Sequence, residues 1–223
     1  MFSKRVNIFM GHYGSGKTFI SVNYAEALKK SGREVSVYDL DIVNPYFRTV
    51  DAKKRLNDQD IQLIVSDYAQ SNVDLPSIQG AAYQLVDDKN RFAVLDVGGD
   101  DRGALALGRF AQKIVDENNY NAYFVLNKYR PETSTIQGAM EIKEEVERTA
   151  KIKFTAIVNN SNLGDLTTEQ TILDGINFAN EFSRASGLKV AFTSIRSDLI
   201  SEKIQNEIKN ILPVTPVKYG NWL

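Results

Sequence analysis

Short apolar runs alternate along this chain with stretches in which apolar residues recur every three or four positions. The runs have the length and β-branched content of buried strands, and the periodic stretches read as helices with one face inward. Val6 to Met10 is the first strand. A helix follows from Thr18 to Lys30, with Phe19, Val22, Ala25, Ala27 and Leu28 near helical spacing, and Ser31-Gly32 stops it. Further strands are expected at Glu34 to Tyr38, Ile61 to Val65, Arg91 to Val97, Asn121 to Leu126, Lys153 to Val158 and Lys189 to Thr193. Between them lie helices from Pro45 to Leu56, Leu75 to Asp87, Asp101 to Asn118, Glu132 to Ala150 (Thr133 or Ser134 as its cap) and Thr168 to Ala185. Asp67 to Val73 reads as a loop, and a last helix is expected from Ser197 to Leu212 before two prolines and a short tail. Strands that are mostly apolar on both faces and alternate with helices predict an α/β fold. The expected architecture is three-layer α/β/α, a mainly parallel sheet of about seven strands covered on two sides. No repeat, low-complexity segment or linker divides residues 1–223, so one domain is expected.

The stretch after the first strand carries the most specific chemistry. Gly11-His12-Tyr13-Gly14-Ser15-Gly16-Lys17-Thr18 fits G-x-x-x-x-G-K-[ST], the phosphate-binding P-loop. Glycines let the backbone curl so that its N–H groups point at a phosphate chain. Lys17 then reaches the β- and γ-phosphate oxygens, the Thr18 hydroxyl joins the shell of a Mg²⁺, and the next helix turns its positive end to the anion. The motif sits between a buried strand and a helix, as it must, and the expected fold is that of the P-loop NTPases.

Other candidate groups also fall at strand ends, where such sheets bind ligands. Asp39-Leu40-Asp41 ends the second strand. One of its carboxylates can support a metal shell and the other orient an attacking water. Asn44-Pro45-Tyr46-Phe47-Arg48 follows and can sense a γ-phosphate, with Tyr46 and Phe47, like Tyr13, either lining the cleft or simply packing. Phe92 to Gly99 is an apolar strand ending in Asp96, the Walker B arrangement that brings a carboxylate near Mg²⁺. Asp96 to Gly99 is also D-x-x-G, in which the Gly99 N–H can meet a γ-phosphate. Asp100, Asp101 and Arg102 come next; Arg102 can face phosphate or pair with an acid. Asn127-Lys128-Tyr129-Arg130 resembles the start of N-K-x-D but lacks the aspartate that accepts guanine N–H groups, which favours ATP over GTP. Asn159-Asn160 ends the sixth strand, and an amide there can pair with adenine. The nucleotide contacts expected are therefore Gly11, His12, Tyr13, Gly14, Ser15, Gly16, Lys17, Thr18, Phe19, Gly99 and Asn159.

Composition narrows the remaining classes. A formal net charge of −1 argues against nucleic acid or an anionic membrane as partner. Lys53-Lys54-Arg55 is read as a solvated helix face. With no cysteine there is no disulfide framework and no thiolate metal or iron–sulfur site, and a single histidine, His12, excludes a histidine cluster. No room for a signal peptide is expected before the first strand and no apolar run reaches membrane-spanning length, so the cytoplasm is the default compartment.

Gly11 to Thr18, Asp39-Leu40-Asp41, Asp96 to Gly99 and Asn159 together resemble the ATPases of the MinD/ParA type, the CobQ/CobB/MinD/ParA nucleotide-binding group. The resemblance runs the length of the chain, although only the P-loop is highly specific. It implies an ATP/ADP-binding, Mg²⁺-dependent ATPase that forms a homodimer when ATP-bound and acts on an unidentified protein partner. By the same resemblance Lys17 and Asp41 are catalytic, the latter orienting water, while Thr18, Asp96 and, behind them, Asp39 serve the metal. Asn159 would contact adenine. Two features depart from the group. A second lysine often follows the first loop glycine, and here that residue is His12. The apolar positions 200, 204, 208 and 211 share their stretch with Glu202 and Glu207, so it reads as a core-packing helix rather than a membrane anchor. A small-molecule kinase or ligase of the dethiobiotin synthetase kind, a GTPase and a non-hydrolysing sensor remain alternatives.

Overall fold

A computed structural model describes residues 2–41, 53–65, 85, 88–99, 101–108 and 111–216. Among these, eight strands form one sheet: β1 (Val6–Met10), β2 (Val35–Leu40), β3 (Gln62–Val65), β4 (Phe92–Val97), β5 (Tyr120–Leu126), β6 (Ala156–Asn159), β7 (Lys189–Arg196) and β8 (Ile211–Val214). Their order is β3-β2-β4-β1-β5-β6-β7-β8, and every neighbouring pair is parallel. The helices are α1 (Lys17–Lys30), α2 (Lys53–Asn57), α3 (Asp101–Gly108), α4 (Ala111–Glu117), α5 (Ile136–Ala150), α6 (Glu169–Ser186) and α7 (Glu202–Glu207).

Side chains alternate across the sheet and build two cores. On one face Ile8, Met10, Leu95, Phe124 and Leu126 meet Leu107 of α3, Ile114 of α4, Ala139 of α5 and Phe182 of α6. On the other, Phe9, Val37, Val94, Val125 and Val158 meet Ile20, Tyr24 and Leu28 of α1 and Leu56 of α2. This is the three-layer arrangement that the doubly apolar strands dictate. Each large side chain buried in either layer contributes about 1.5–3 kcal/mol. Helix α1 is buried around most of its circumference. Tyr24 sits between Phe9 and Phe192, donates its hydroxyl to Asn7 Oδ1 at 2.9 Å, and has its phenol pushed up by burial.

The differences from expectation have local causes. The stretch 197–212 is not one helix. Ser201 caps α7 by accepting from the Ile204 N–H, and β8 then pairs with β7, burying Leu212 and Val214 on the α1 face. Pro213 is tolerated because β8 is the edge strand. Ile204 does pack inward, against Ile172, Ile176 and Ile195. Asp101–Gly108 and Ala111–Glu117 are helical within the stretch expected to be a helix, and residues 109 and 110 lie outside the described residues. Helix α5 is capped by Thr135, which accepts from the Gly138 N–H, rather than by Thr133 or Ser134; a 3₁₀ turn, Pro131–Thr133, precedes it. Arg55 is not solvated with Lys53 and Lys54 but is paired with Glu26 of α1. Most of the helix expected from Pro45, the loop 67–73, the helix 75–87 apart from Leu85, the segment Asn44 to Arg48 and Asp100 lie outside the described residues. Among the described residues no helix is long and apolar enough to cross a membrane.

Arg5 clamps the N-terminal end of β1 to the end of α4. Its guanidinium donates to Glu117 at 2.6 and 2.5 Å and to the carbonyls of Leu85 and Asp88. The hydrogen bonds from Arg5 hold the Glu117 carboxyl below its ordinary range. A carboxylate depressed in the folded state stabilises it above the unfolded pKa, and the contribution is lost as pH falls through the folded value. We predict that Glu117→Gln lowers stability by about 2 kcal/mol at pH 7. Denaturant titrations of both proteins should converge as the pH is lowered through the carboxylate range; a difference independent of pH would refute the charge pairing.

Candidate nucleotide site

The loop from Gly11 to Thr18 leaves β1 at the carboxyl edge of the sheet, between β4 and β5, where chain order places a crevice. Its glycines answer to crowding as well as curvature. Gly11 has φ 149°, and a Cβ there would lie 2.7 Å from the Val125 carbonyl oxygen of β5. Gly16, with φ 92°, caps α1, and a Cβ would fall 2.2 Å from the Asn160 Nδ2. Ser15 is fully buried between them, and its N–H bonds to the His12 carbonyl at 3.2 Å. Lys17 opens α1; it is 6% exposed, and its ammonium reaches back over the loop to the His12 carbonyl at 3.1 Å.

The other strand ends close on this loop. β2 and β4 pair so that Asp39 and Asp96 are direct neighbours, both buried. Asp39 Oδ1 accepts the Asp41 N–H at 3.0 Å, which fixes the turn after β2. Beyond Asp96, Gly99 lies so close that a Cβ would stand 2.6 Å from the Tyr13 nitrogen and 2.8 Å from the Lys17 Nζ. The D-x-x-G segment therefore abuts the P-loop and its lysine. From the other side, Asn160 donates its amide to the Ser15 carbonyl at 2.7 Å while the Ser194 hydroxyl of β7 donates to Asn160 Oδ1 at 2.6 Å.

These elements enclose a cavity of about 520 Å³. Tyr13, Gly14, Gly16, Lys17, Thr18 and Phe19 line it from the loop, with Asp41 from β2. Asn127, Asn160 and Asn162 also line it, and Ile172, Ile195, Val214 and Pro216 supply an apolar wall. His12 and Gly99 border a second, smaller cavity of about 260 Å³ against α3 and α5. His12 keeps its ring near the Tyr13 carbonyl and 3.5 Å from a Glu132 carboxylate oxygen.

Asn159 is placed differently from the adenine contact expected of it. It is buried and does not line the cavity; Oδ1 accepts the Ser161 N–H and Nδ2 faces Thr193. The next residues, Asn160 and Asn162, face the cavity instead. Strand β6 runs through Asn159, so that side chain points into the sheet layers, and the residues of the turn beyond it line the cavity. Ser194 and Arg196 were not foreseen, because they come from a β7 that is three residues longer than its apolar run.

The donor set suits a hard divalent cation. Two buried carboxylates side by side on adjacent strands, with the Thr18 hydroxyl at the start of α1, offer oxygen alone, and Mg²⁺ takes few protein ligands beside phosphate and water. Among the described residues no group of three or more His, Asp or Glu gathers into a self-sufficient metal centre.

Fold and site together define a P-loop NTPase domain. The model of the CobQ/CobB/MinD/ParA nucleotide-binding domain matches residues 8–169, and the chain belongs to that family. Among curated proteins none matches its sequence. Among solved structures it is similar to the cell division protein FtsY of Thermotoga maritima, at 15% identity and TM-score 0.61, covering 86% of this chain and 62% of that one. It is similar also to the signal recognition particle 54 kDa protein of Aeropyrum pernix K1 in complex with GDP (15%, 0.59, 86% and 41%). A third is the signal recognition particle receptor FtsY of Elizabethkingia anophelis in complex with GDP (17%, 0.56, 87% and 58%). The chain spans less than two thirds of the length of each, and the likeness is one of fold.

The crowding at Gly16 yields a sharp expectation. Gly16→Ala adds a methyl group to a left-handed residue and drives it into the Asn160 amide. It should lower stability by about 2 kcal/mol or more and abolish nucleotide binding. A variant with wild-type melting temperature and wild-type nucleotide affinity would show that the loop is not held as described.

Proposed function

We propose that this chain is an ATP-binding, Mg²⁺-dependent ATPase that works as a nucleotide-switched homodimer on a protein partner, within a single domain. The observation that carries the reading is the convergence of Lys17 and Gly99 on one point of the P-loop, with Asp39 and Asp96 in register behind it. Loop N–H groups and Lys17 hold the phosphate chain and lower the cost of charge developing on it. Asp41 lines the cavity with its backbone tied to Asp39, a position from which its carboxylate orients a water for attack on the γ-phosphate. Mg²⁺ held by Thr18, with Asp96 and Asp39 behind it, supplies neutralising charge at the phosphates.

The choice of ATP rests on the loop after β5, where Asn127-Lys128-Tyr129-Arg130 lacks the aspartate that accepts guanine N–H groups. Guanine calls for a carboxylate to accept two N–H groups. Asp165, the acid on that side of the cavity, is engaged by Arg196 at 3.0 Å. The dimer and the protein partner are carried over from the family resemblance; a cytoplasmic setting is the default expected from the sequence.

The test is a calorimetric titration with ATP and with GTP, with and without Mg²⁺, followed by phosphate release and by mass in solution with a non-hydrolysable ATP analogue. ATP should bind more tightly than GTP, and Lys17→Ala should weaken it at least tenfold, since a charge-assisted phosphate contact is worth about 1.5–3 kcal/mol. Equal affinity in the two proteins would sink the assignment. Asp41→Asn should leave ATP affinity within about twofold and slow turnover by about a hundredfold or more, because a water-orienting group acts in the transition state. Unchanged turnover with a shifted Mg²⁺ dependence would make Asp41 a metal residue instead.

A further inference from the structure

Lys17 is not the only cation facing the cavity among the described residues. Arg130, in the loop after β5, lines it too. The atoms of its side chain lie against the crown of the P-loop. A Cβ placed on Gly14, whose φ is 74°, would be 3.4 Å from both the Arg130 Cζ and its Nε. The guanidinium and Gly14 are thus within van der Waals contact range of each other and form one wall.

The backbone that carries Arg130 is fixed. The Arg130 N–H bonds to the Asn127 carbonyl at 3.1 Å, and its own carbonyl accepts the Thr133 N–H at 3.1 Å. Asn127 Oδ1 accepts the Tyr129 N–H at 3.0 Å and the Thr133 hydroxyl closes the turn on the Asn127 carbonyl at 2.7 Å. These bonds fix the backbone from which the Arg130 side chain reaches the loop.

Other charged side chains on this side of the cavity have partners among the described residues. Arg196, the other arginine lining it, is held by Asp165 at 3.0 Å and by Asp198 at 2.7 Å. Lys128 lies over the rings of Tyr129 and Phe178. Glu132, two residues beyond Arg130, faces His12. Among the described residues no carboxylate is paired with Arg130. A guanidinium without a carboxylate, held beside a loop built for phosphate, has its best partner in an anionic oxygen, which it can meet with two parallel N–H groups.

We propose that Arg130 is a second phosphate-binding cation of this site, supplied by the chain itself and directed at the polyphosphate of a bound nucleotide. The inference rests on the nucleotide-site reading above and adds a contact to it. The position after the first loop glycine carries His12, which has no permanent charge; Arg130 approaches the same loop from β5 and supplies one.

The experiment titrates the full chain with ATP, ADP and inorganic tripolyphosphate by calorimetry, for wild type, Arg130→Ala, Arg130→Lys and Lys17→Ala. Arg130→Ala should weaken ATP and tripolyphosphate alike by about tenfold, and Arg130→Lys should recover part of that loss. Thermal melts check the fold; if Arg130→Ala melts early, Arg130→Gln, which keeps the stem, carries the comparison. Wild-type affinity in the Arg130 variants, with binding lost in Lys17→Ala, overturns the inference and leaves the nucleotide site standing. A loss for ATP without one for tripolyphosphate also overturns it, since Arg130 would then act on the base. Absence of nucleotide binding in the wild type overturns both readings.

Discussion

Everything at the carboxyl edge of this sheet depends on how closely backbone can approach the loop from Gly11 to Thr18. Three glycines set that distance, and each lets a different strand in. Gly11 sits against the Val125 carbonyl of β5, Gly16 against the amide of Asn160 beyond β6, and Gly99 brings the end of β4 onto Tyr13 and Lys17. A phosphate cradle made of N–H groups works only if nothing stands between backbone and anion. Close approach is thus both the binding principle and the packing principle, and strand register is what sets it. The pairing of β1 with β4 and β5, and of β5 with β6, delivers the three walls to one place.

The same register concentrates charge. Asp39 and Asp96 are neighbours across the β2–β4 ladder, buried where water screens them little. Two carboxylates so placed favour a cation nearby, and the loop answers with Lys17 and the first turn of α1. The acids lie on the β2–β4 side of the site, and Lys17 and Arg130 on the β1–β5 side.

The far end of the cavity is made by strands that contribute little to the chemistry. Ile195 of β7, Val214 of β8 and Pro216 form its apolar wall, and Ser194 orients Asn160, which in turn holds the loop at Ser15. The edge of the sheet thus reaches the P-loop through two hydrogen bonds. That edge also packs on α1 through Leu212 and Val214, so the helix that carries Lys17 and Thr18 is braced by the strands that wall the cavity.

Local pattern alone was enough for the alternation of strands and helices, the two-sided sheet and the P-loop, because each of these is a statement about neighbours in sequence. Period-two and period-three-to-four burial follow from backbone geometry, and the loop's glycines and lysine are contiguous. Asp39, Asp41 and Asp96 could be picked out because strand ends are marked by the apolar runs before them. What the sequence could not decide was anything set by partners distant in the chain. Residues 211–214 become a strand because β7 offers an open edge, overriding a helical spacing of apolar residues. Asn160 rather than Asn159 faces the cavity because strand phase assigns each side chain a face, and a one-residue error in where β6 ends reverses it. Arg130 looked like the failed end of a base-recognition motif. Only the folded turn after β5 lays it against Gly14, since the contact joins residues more than a hundred positions apart whose proximity no local pattern encodes.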